Sequence, residues 1–401
     1  MSGVNARTHI QAKRVVTPDK ILPRGRVLLE GGRIVAVESL PPDVDSGEIH
    51  PGILIPGIID IHINGAFGTD FSNCTPLAME HLSTGLAGCG CTSFFPTLIS
   101  DHVSLLGQQL RGLANVLDEK PSGAQPLGIH LEGPFLNPAR AGAHPRACLR
   151  APSLDLAGEF VEASMDKIRL LTIAPELPGA IDFISGCPSQ WVLSAGHSQA
   201  SYEEMNRAIG AGIRSATHMF NAMAPLDHRD PGLLAALLNH PVVFAEIITD
   251  GLHVHPAVVE LLVRCKGSRR VILVTDAVSA AGMPDGQYSL GALIISQTGG
   301  ICRNEQGILA GSSLLPDQGL RKLWRWLGPA GLNLPLQEVV WMTSTGPAEL
   351  MGLDSKGRIQ PGCDADLVLL DENLEVRKTW VKGKLVFDAE RVLRSPSEDD
   401  V

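Results

Sequence analysis

Nowhere in the 401 residues does an apolar run reach eighteen, the length of a membrane-spanning helix. A basic excess is missing too: 33 Lys and Arg stand against 43 Asp and Glu, a net charge of −10. That balance argues against broad nucleic-acid binding, which needs a basic face. An anionic small substrate stays compatible, because a few local cations outvote the global charge at short range. The eight cysteines include no C-x-x-C pair and no regular spacing, so neither a zinc ribbon nor a disulfide framework is suggested. Cys89-Gly-Cys91 reads as two small apolar residues leading into a strand. The opening MSGVNARTHIQAKR lacks the apolar stretch of a signal peptide, and a reducing, cytoplasmic location is expected.

What is present is an ordinary globular composition, 44% hydrophobic and 19% charged, on a chain too long for one small core. Eight short apolar runs alternate with helical patterns: GILIPGIIDIHI (52–63), CTSFFPTLI (91–99), PLGIHLEG (126–133), IRLLTIAPE (168–176), WVLSAGH (191–197), GIRSATHMF (212–220), VVFAEIITDG (242–251) and RVILVTDAV (270–278). Nearly continuous apolar character predicts strands buried on both faces of a parallel sheet. Helix punctuation lies between them. Thr75-Pro76 opens one segment that Gly90 closes, Ser201 to Glu204 forms a capping box, and Pro256 opens a helix ending before Gly267. The pattern predicts an α/β fold, a (β/α)8 TIM-like barrel with function at the C-terminal strand ends. An open doubly wound sheet is the competitor, but no G-x-G-x-x-G follows the first run. Both flanks read as strands, including RVLLEGGRIVAVE and ADLVLLDENLEVRKTWVKGKLVFD. Residues 1–52 and 351–401 are therefore expected to pair into one small β-sandwich domain, with the barrel, 53–350, inserted between them. A β-excursion is expected over 287–311 and helices over 313–352.

Polar residues stand where such a barrel puts its active site. His62 ends the first strand, Glu132 the third, His197 the fifth, His218 the sixth and Asp276 the eighth. A lone histidine at a strand end is usually a hydrogen-bonded core residue. Five ionisable groups on one barrel face are not explained that way, because each is costly to bury unless paired or bound to metal. Two histidines and a carboxylate suit a divalent ion such as Zn2+, with one position left for water. Such an ion brings the pKa of that water toward about 7. Asp276 is placed to take its proton and deliver it to a leaving amine. The alternative reading of Asp276 is a cap for a following helix.

HLEGPF (130–135), AGH (195–197), THMFNAM (217–223), DGLHV (250–254), VTDAV (274–278), LAGSSL (309–314) and GRIQPGCDADLVLLD (357–371) together resemble the N-acetylglucosamine-6-phosphate deacetylases of the amidohydrolase superfamily. The likeness spans nearly the whole chain. It implies a cytoplasmic homodimer acting on an amino-sugar phosphate, with neither nucleic acid nor membrane as partner. Glu132, His197 and His218 would hold the metal and Asp276 would serve as acid and base. His144, in RAGAHPR, would hydrogen-bond the acetamide carbonyl and its oxyanion. Asn221 and Ala222 would offer backbone N–H groups to the sugar phosphate, with His253 and Arg229 holding its charge and Arg229 reaching across from the second subunit. Leu309 and Gly311 of LAGSSL would also line the substrate site.

The stretch DIHIN (60–64) leaves the metal count open at this point. Residues two apart share a strand face, so Asp60, His62 and Asn64 point together. Superfamily members with two ions commonly carry H-x-H there, and some deacetylases carry Q-x-N and use one ion. His62 with Asn64 mixes the patterns, and an amide is a weak ligand beside imidazole. The reading is one ion per subunit, most simply Zn2+ with Fe2+, Mn2+ or Co2+ as alternatives, and His62 as an optional ligand or a partner to bound water. His130 reads as a supporting neighbour, and His255 as peripheral. Other activities compatible with these residues are hydrolysis of a cyclic amide or nucleobase by another amidohydrolase, and deacetylation of N-acetylgalactosamine 6-phosphate. A non-catalytic assembly protein on the same barrel would lack ligands or acid/base, and none is missing here.

Overall fold

The computed structural model describes residues 7–41 and 49–392. Of the two expected flanks, residues 1–6, 42–48 and 393–401 lie outside that range. Eight parallel strands form the barrel: β1 (Ile58–Ile63), β2 (Cys91–Ile99), β3 (Ile129–Glu132), β4 (Ile168–Ile173), β5 (Val192–Ala195), β6 (Ile213–Ala216), β7 (Phe244–Ile248) and β8 (Val271–Val274). Each pairs with the next in sequence. The ring closes between β1 and β8, where Ile63 bridges Ala277 in parallel and Asp276 donates its N–H to His62 O at 2.9 Å. Every residue of β1 and β2 is buried, because one face fills the barrel and the other meets helices. All eight runs read from the sequence hold a strand.

Helix α1 (Pro76–Gly88) begins where the Thr75 hydroxyl accepts the Ala78 N–H, and it stops two residues short of Gly90. Gly90 instead takes a φ of 73° in the turn into β2. Helix α2 (Tyr202–Ala211) carries the Ser201–Glu204 capping box, and α3 (Pro256–Lys266) is capped by the His255 ring. Among the described residues no helix is long and apolar enough to cross a membrane.

The run 52–63, read as one strand, is two strands in two sheets. His50–Pro56 belongs to a sheet made by the chain ends, and the barrel begins at Ile58. Pro56 has no N–H for a ladder, and Gly57 lies against Thr92 so closely that a Cβ would fall 2.0 Å from its Oγ1. In the second sheet the order is Lys384–Asp388, Val376–Val381, Leu367–Leu370, His50–Pro56, Thr8–Val16, Gly25–Glu30, Arg33–Ser39. It packs on a core of its own that includes Val15, Val27, Ile34, Leu54, Leu367 and Trp380. The expected excursion is a three-stranded sheet over Gly286–Leu290, Leu293–Thr298 and Ile301–Asn304. Helices Pro316–Leu327, Leu336–Val340 and Gly346–Leu350 follow.

Candidate active site

Strands β5, β6 and β8 each stop two residues before a functional side chain. His197, His218 and Asp276 then turn into left-handed backbone, with φ of 48°, 30° and 49°. Left-handed φ is unfavourable for residues with a Cβ, and such strain concentrates at functional sites. Here it turns three side chains across the barrel mouth toward Glu132, the last residue of β3. Glu132 Oε1 lies 3.0 Å from His197 Nε2 and 2.9 Å from His218 Nε2, and the two ring nitrogens are 3.1 Å apart.

The proton on the His197 ring follows from its outer partner. His197 Nδ1 faces the Arg140 carbonyl at 2.9 Å, and a carbonyl only accepts, so Nδ1 carries the proton and Nε2 offers its lone pair inward. Burial holds the His197 imidazole down to about 4, hence neutral. Burial works against ionisation of Glu132 as well, yet His62 and His144 outweigh it and hold the carboxyl well below its usual range. One anionic oxygen and two ring nitrogens, mutually about 3 Å apart, match three donors each about 2.0–2.2 Å from one divalent ion. The donor set fits a metal.

His144 is wired the opposite way. Its Nδ1 accepts the Ser100 backbone N–H at 3.2 Å, which leaves the proton on Nε2, 3.6 Å from Glu132 Oε2. It is therefore a donor aimed into the cleft. Asp276 receives the Asn64 amide, Nδ2 to Oδ1, at 2.7 Å. Burial raises its carboxyl and Glu132 adds to this, while His62 opposes it. No helix follows Asp276 in the described residues, only a bridge and turns, so it caps nothing. His62 is fully buried, its Nε2 3.4 Å from Glu132 Oε2 and 3.3 Å from Asp276 Oδ1. Asp60 does not reach the cleft: it ties β1 to β8 by accepting Thr275 Oγ1 at 2.5 Å, and burial raises it to about 6.

A cleft opens above these groups, with Asn221, Ala222, His253, Leu309 and Gly311 in its walls. Asn221 already gives its backbone N–H to His218 O at 3.0 Å, so that donor is committed to the turn. His253 Nδ1 meets Asp250 Oδ2 at 2.6 Å. Arg229 stands apart, exposed on the loop after Met223 and absent from the cleft wall. His130 sits beneath, between the hydroxyls of Thr97 and Thr172. His255 is exposed and accepts the Ala257 N–H.

A family model described as "Amidohydrolase family" matches residues 53–386. The chain belongs to the amidohydrolase family. It is 36% identical over 364 residues to N-acetylglucosamine-6-phosphate deacetylase of Vibrio furnissii, covering 90% of each chain. It is 34% identical over 383 residues to N-acetylgalactosamine-6-phosphate deacetylase of Escherichia coli O157:H7, covering 94% of this chain and 99% of that one. Among solved structures, a mutant N-acetyl-D-glucosamine-6-phosphate deacetylase of Mycobacterium smegmatis, in complex with N-acetyl-D-glucosamine-6-phosphate, superposes with a TM-score of 0.88 at 32% identity. That match covers 95% of this chain and 99% of that one.

Several groups that shape this amidohydrolase's site were not singled out by sequence reasoning. Ile99, Leu290 and Ile308 supply the apolar wall beside His144. Nothing distinguishes them in sequence from core residues. Ser100, which sets the His144 tautomer, lies just past β2 with no motif around it. Glu246 left a usable signal: it is the one carboxylate inside the apolar run VVFAEII.

Proposed function

We propose that this amidohydrolase deacetylates N-acetyl-D-glucosamine 6-phosphate, yielding D-glucosamine 6-phosphate and acetate in amino-sugar catabolism or recycling. The observation that carries the reading is the pair of oppositely fixed imidazoles around Glu132. His197 presents a lone pair and His144 presents a proton, as a metal ligand and an oxyanion donor must.

Glu132, His197 and His218 would hold one divalent ion, most simply Zn2+ on this nitrogen and oxygen donor set, though Fe2+, Mn2+ and Co2+ accept the same ligands. Bound there, it supplies Lewis acidity toward water and the amide carbonyl. Asp276, steadied by Asn64, takes the proton of the attacking water and returns it to the departing nitrogen. His144 Nε2–H holds the developing oxyanion, and the acetyl methyl rests against Ile99 and Leu290. Ala222 and His253 receive the phosphate at the far wall. Arg229 of a second subunit completes that cradle in a homodimer, while Asn221 shapes the turn. The barrel begins at Ile58 rather than at residue 53, and the described strands before it join those after residue 366 in the small domain. The working location is cytoplasmic.

N-acetylgalactosamine 6-phosphate is the second reading, favoured by the similarity to the Escherichia coli enzyme named for it. Acetate release from both phosphorylated sugars and from unphosphorylated N-acetylglucosamine, with metal analysis of the same preparation, tests the proposal. Release limited to the phosphorylated sugars is expected, and their kcat/KM ratio decides the epimer. Equal turnover of the unphosphorylated sugar would point to a different amide substrate, and no turnover by cation-replete protein would end the reading.

A further inference from the structure

Hydrolysis as described makes no use of Glu246, a buried acid behind the site. Glu246 lies in the middle of β7, fully buried, among Phe244, Ala245, Ile247 and Ile248. A carboxylate in that position is costly unless something there requires it. Its Oε2 lies 3.4 Å from His62 Nδ1 and 3.3 Å from the His218 backbone N, so one oxygen joins a residue of β1 to one just past β6. Among the described residues its Oε1 has no partner.

A carboxylate oxygen accepts and does not donate. His62 therefore carries a proton on Nδ1, and its Nε2 faces Glu132 Oε2 and Asp276 Oδ1 at 3.4 and 3.3 Å, protonated too when no cation is there and offering its lone pair when one is. A lone pair facing two carboxylate oxygens is stable only with a cation among them. Arg140 O does the same for His197 from the other side of the site. The second bond acts on the backbone of His218, whose φ of 30° needs outside support. We propose that Glu246 is a positioning residue, fixing His62 with its Nδ1 protonated and its Nε2 lone pair turned to the cation site, and tying that ring to the backbone of His218. Groups behind a metal-directed imidazole fix its tautomer and orientation in this manner. The role rests on the metal reading given above.

The test uses the full-length protein and Zn2+ itself. Wild type, Glu246→Gln, His62→Gln and the double variant are compared by metal content and by competition with a chelator. The glutamine amide donates as well as accepts, so it still takes the His218 N–H but no longer dictates the His62 tautomer. Glu246→Gln is expected to weaken Zn2+ retention about tenfold. The double variant is expected to bind no more weakly than His62→Gln alone, since the carboxylate then has no ring to orient. Retention equal to wild type in Glu246→Gln, or losses that add in the double variant, would overturn the role. If Glu246→Gln does not fold, nitrogen-15 histidine spectra of the wild type decide instead. A protonated Nδ1 signal that vanishes in His62→Gln supports the role, and an unprotonated His62 Nδ1 refutes it. A wild type that retains no divalent ion would sink the metal reading, whereas equal retention by wild type and variant sinks only Glu246.

Discussion

Asn64 occupies the place where a second strand-one imidazole would stand, and its partner explains why an amide suits it. Its N–H2 holds Asp276 Oδ1 at 2.7 Å, a bond that an unprotonated imidazole nitrogen could not make. The amide therefore fixes the proton carrier in place and stabilises its ionised form, against a burial that raises the carboxyl. Removing the donor in Asn64→Leu is expected to lower kcat about 10- to 100-fold, with KM near wild type, because the lost contact orients a transition-state group. The pH profile follows with a definite sign. Asp276 acts as base in its carboxylate form, so activity falls as pH drops through its pKa, which burial places above the ordinary carboxylate range. Without the Asn64 donor the charged form loses support and the acidic limb of kcat/KM should move to higher pH. An unmoved limb would show that Asn64 does not act through Asp276. A second carboxylate is poised oppositely. Burial pushes Asp250 up, but the His253 hydrogen bond and charge prevail and hold it below its usual range. Asp250→Asn should leave kcat within about twofold and raise KM for the sugar phosphate about tenfold, as steady-state kinetics would register.

The elements that carry these groups are short strands with abrupt ends. Gly311 shows how tightly the end of β8 is held. It adopts a φ of 61°, and a Cβ there would lie 2.3 Å from Val278 Cγ1 and 2.9 Å from Asp276 O. That carbonyl also accepts the Ser312 N–H at 2.8 Å, so the turn and the catalytic residue share one backbone contact. Gly311→Ala is expected to cost about 1–3 kcal/mol in urea unfolding and to lower kcat, because relieving the clash must shift residue 276. Unchanged stability and unchanged kcat would mean the turn is looser than its geometry. The eight barrel strands were legible because strands buried on both faces need unbroken apolar runs. His197, His218 and Asp276 were legible because ionisable residues at the ends of such runs need a reason. The break at Gly57 was not legible, since the apolar run passes through Pro56-Gly57 without a polar residue. Ring tautomers were also hidden. They depend on Arg140 O, Ser100 N and Glu246, which meet these histidines only after the barrel closes.

At the scale of the whole molecule, a chain of net charge −10 is asked to hold a phosphate dianion. Its cleft contributes His253 and the turn at Ala222, and among the described residues no lysine or arginine lines it. Arg229 is the nearest arginine in sequence to that turn, yet it stands exposed on its loop, outside the cleft wall of its own chain. The proposed dimer, in which each subunit completes the other's site, would reconcile an anion site lined by no described lysine or arginine with an arginine exposed outside it. Twofold dimers are the commonest closed assembly, and in one any exchange of a site residue is symmetric by construction. The prediction separates action in trans from action within one chain. Arg229→Ala should raise KM steeply with little change in kcat, and Asp276→Asn should abolish turnover. When the two variants are unfolded together and refolded as a mixture, half of the dimers combine one chain of each kind. In such a dimer the subunit with an intact Asp276 receives Arg229 from its neighbour, while the other site has neither group. Activity at low substrate should therefore recover to about a quarter of wild type, the statistical share of complete sites in a random dimer. If Arg229 served its own chain, no mixed dimer would contain a complete site, and the mixture would perform no better than the average of its two components.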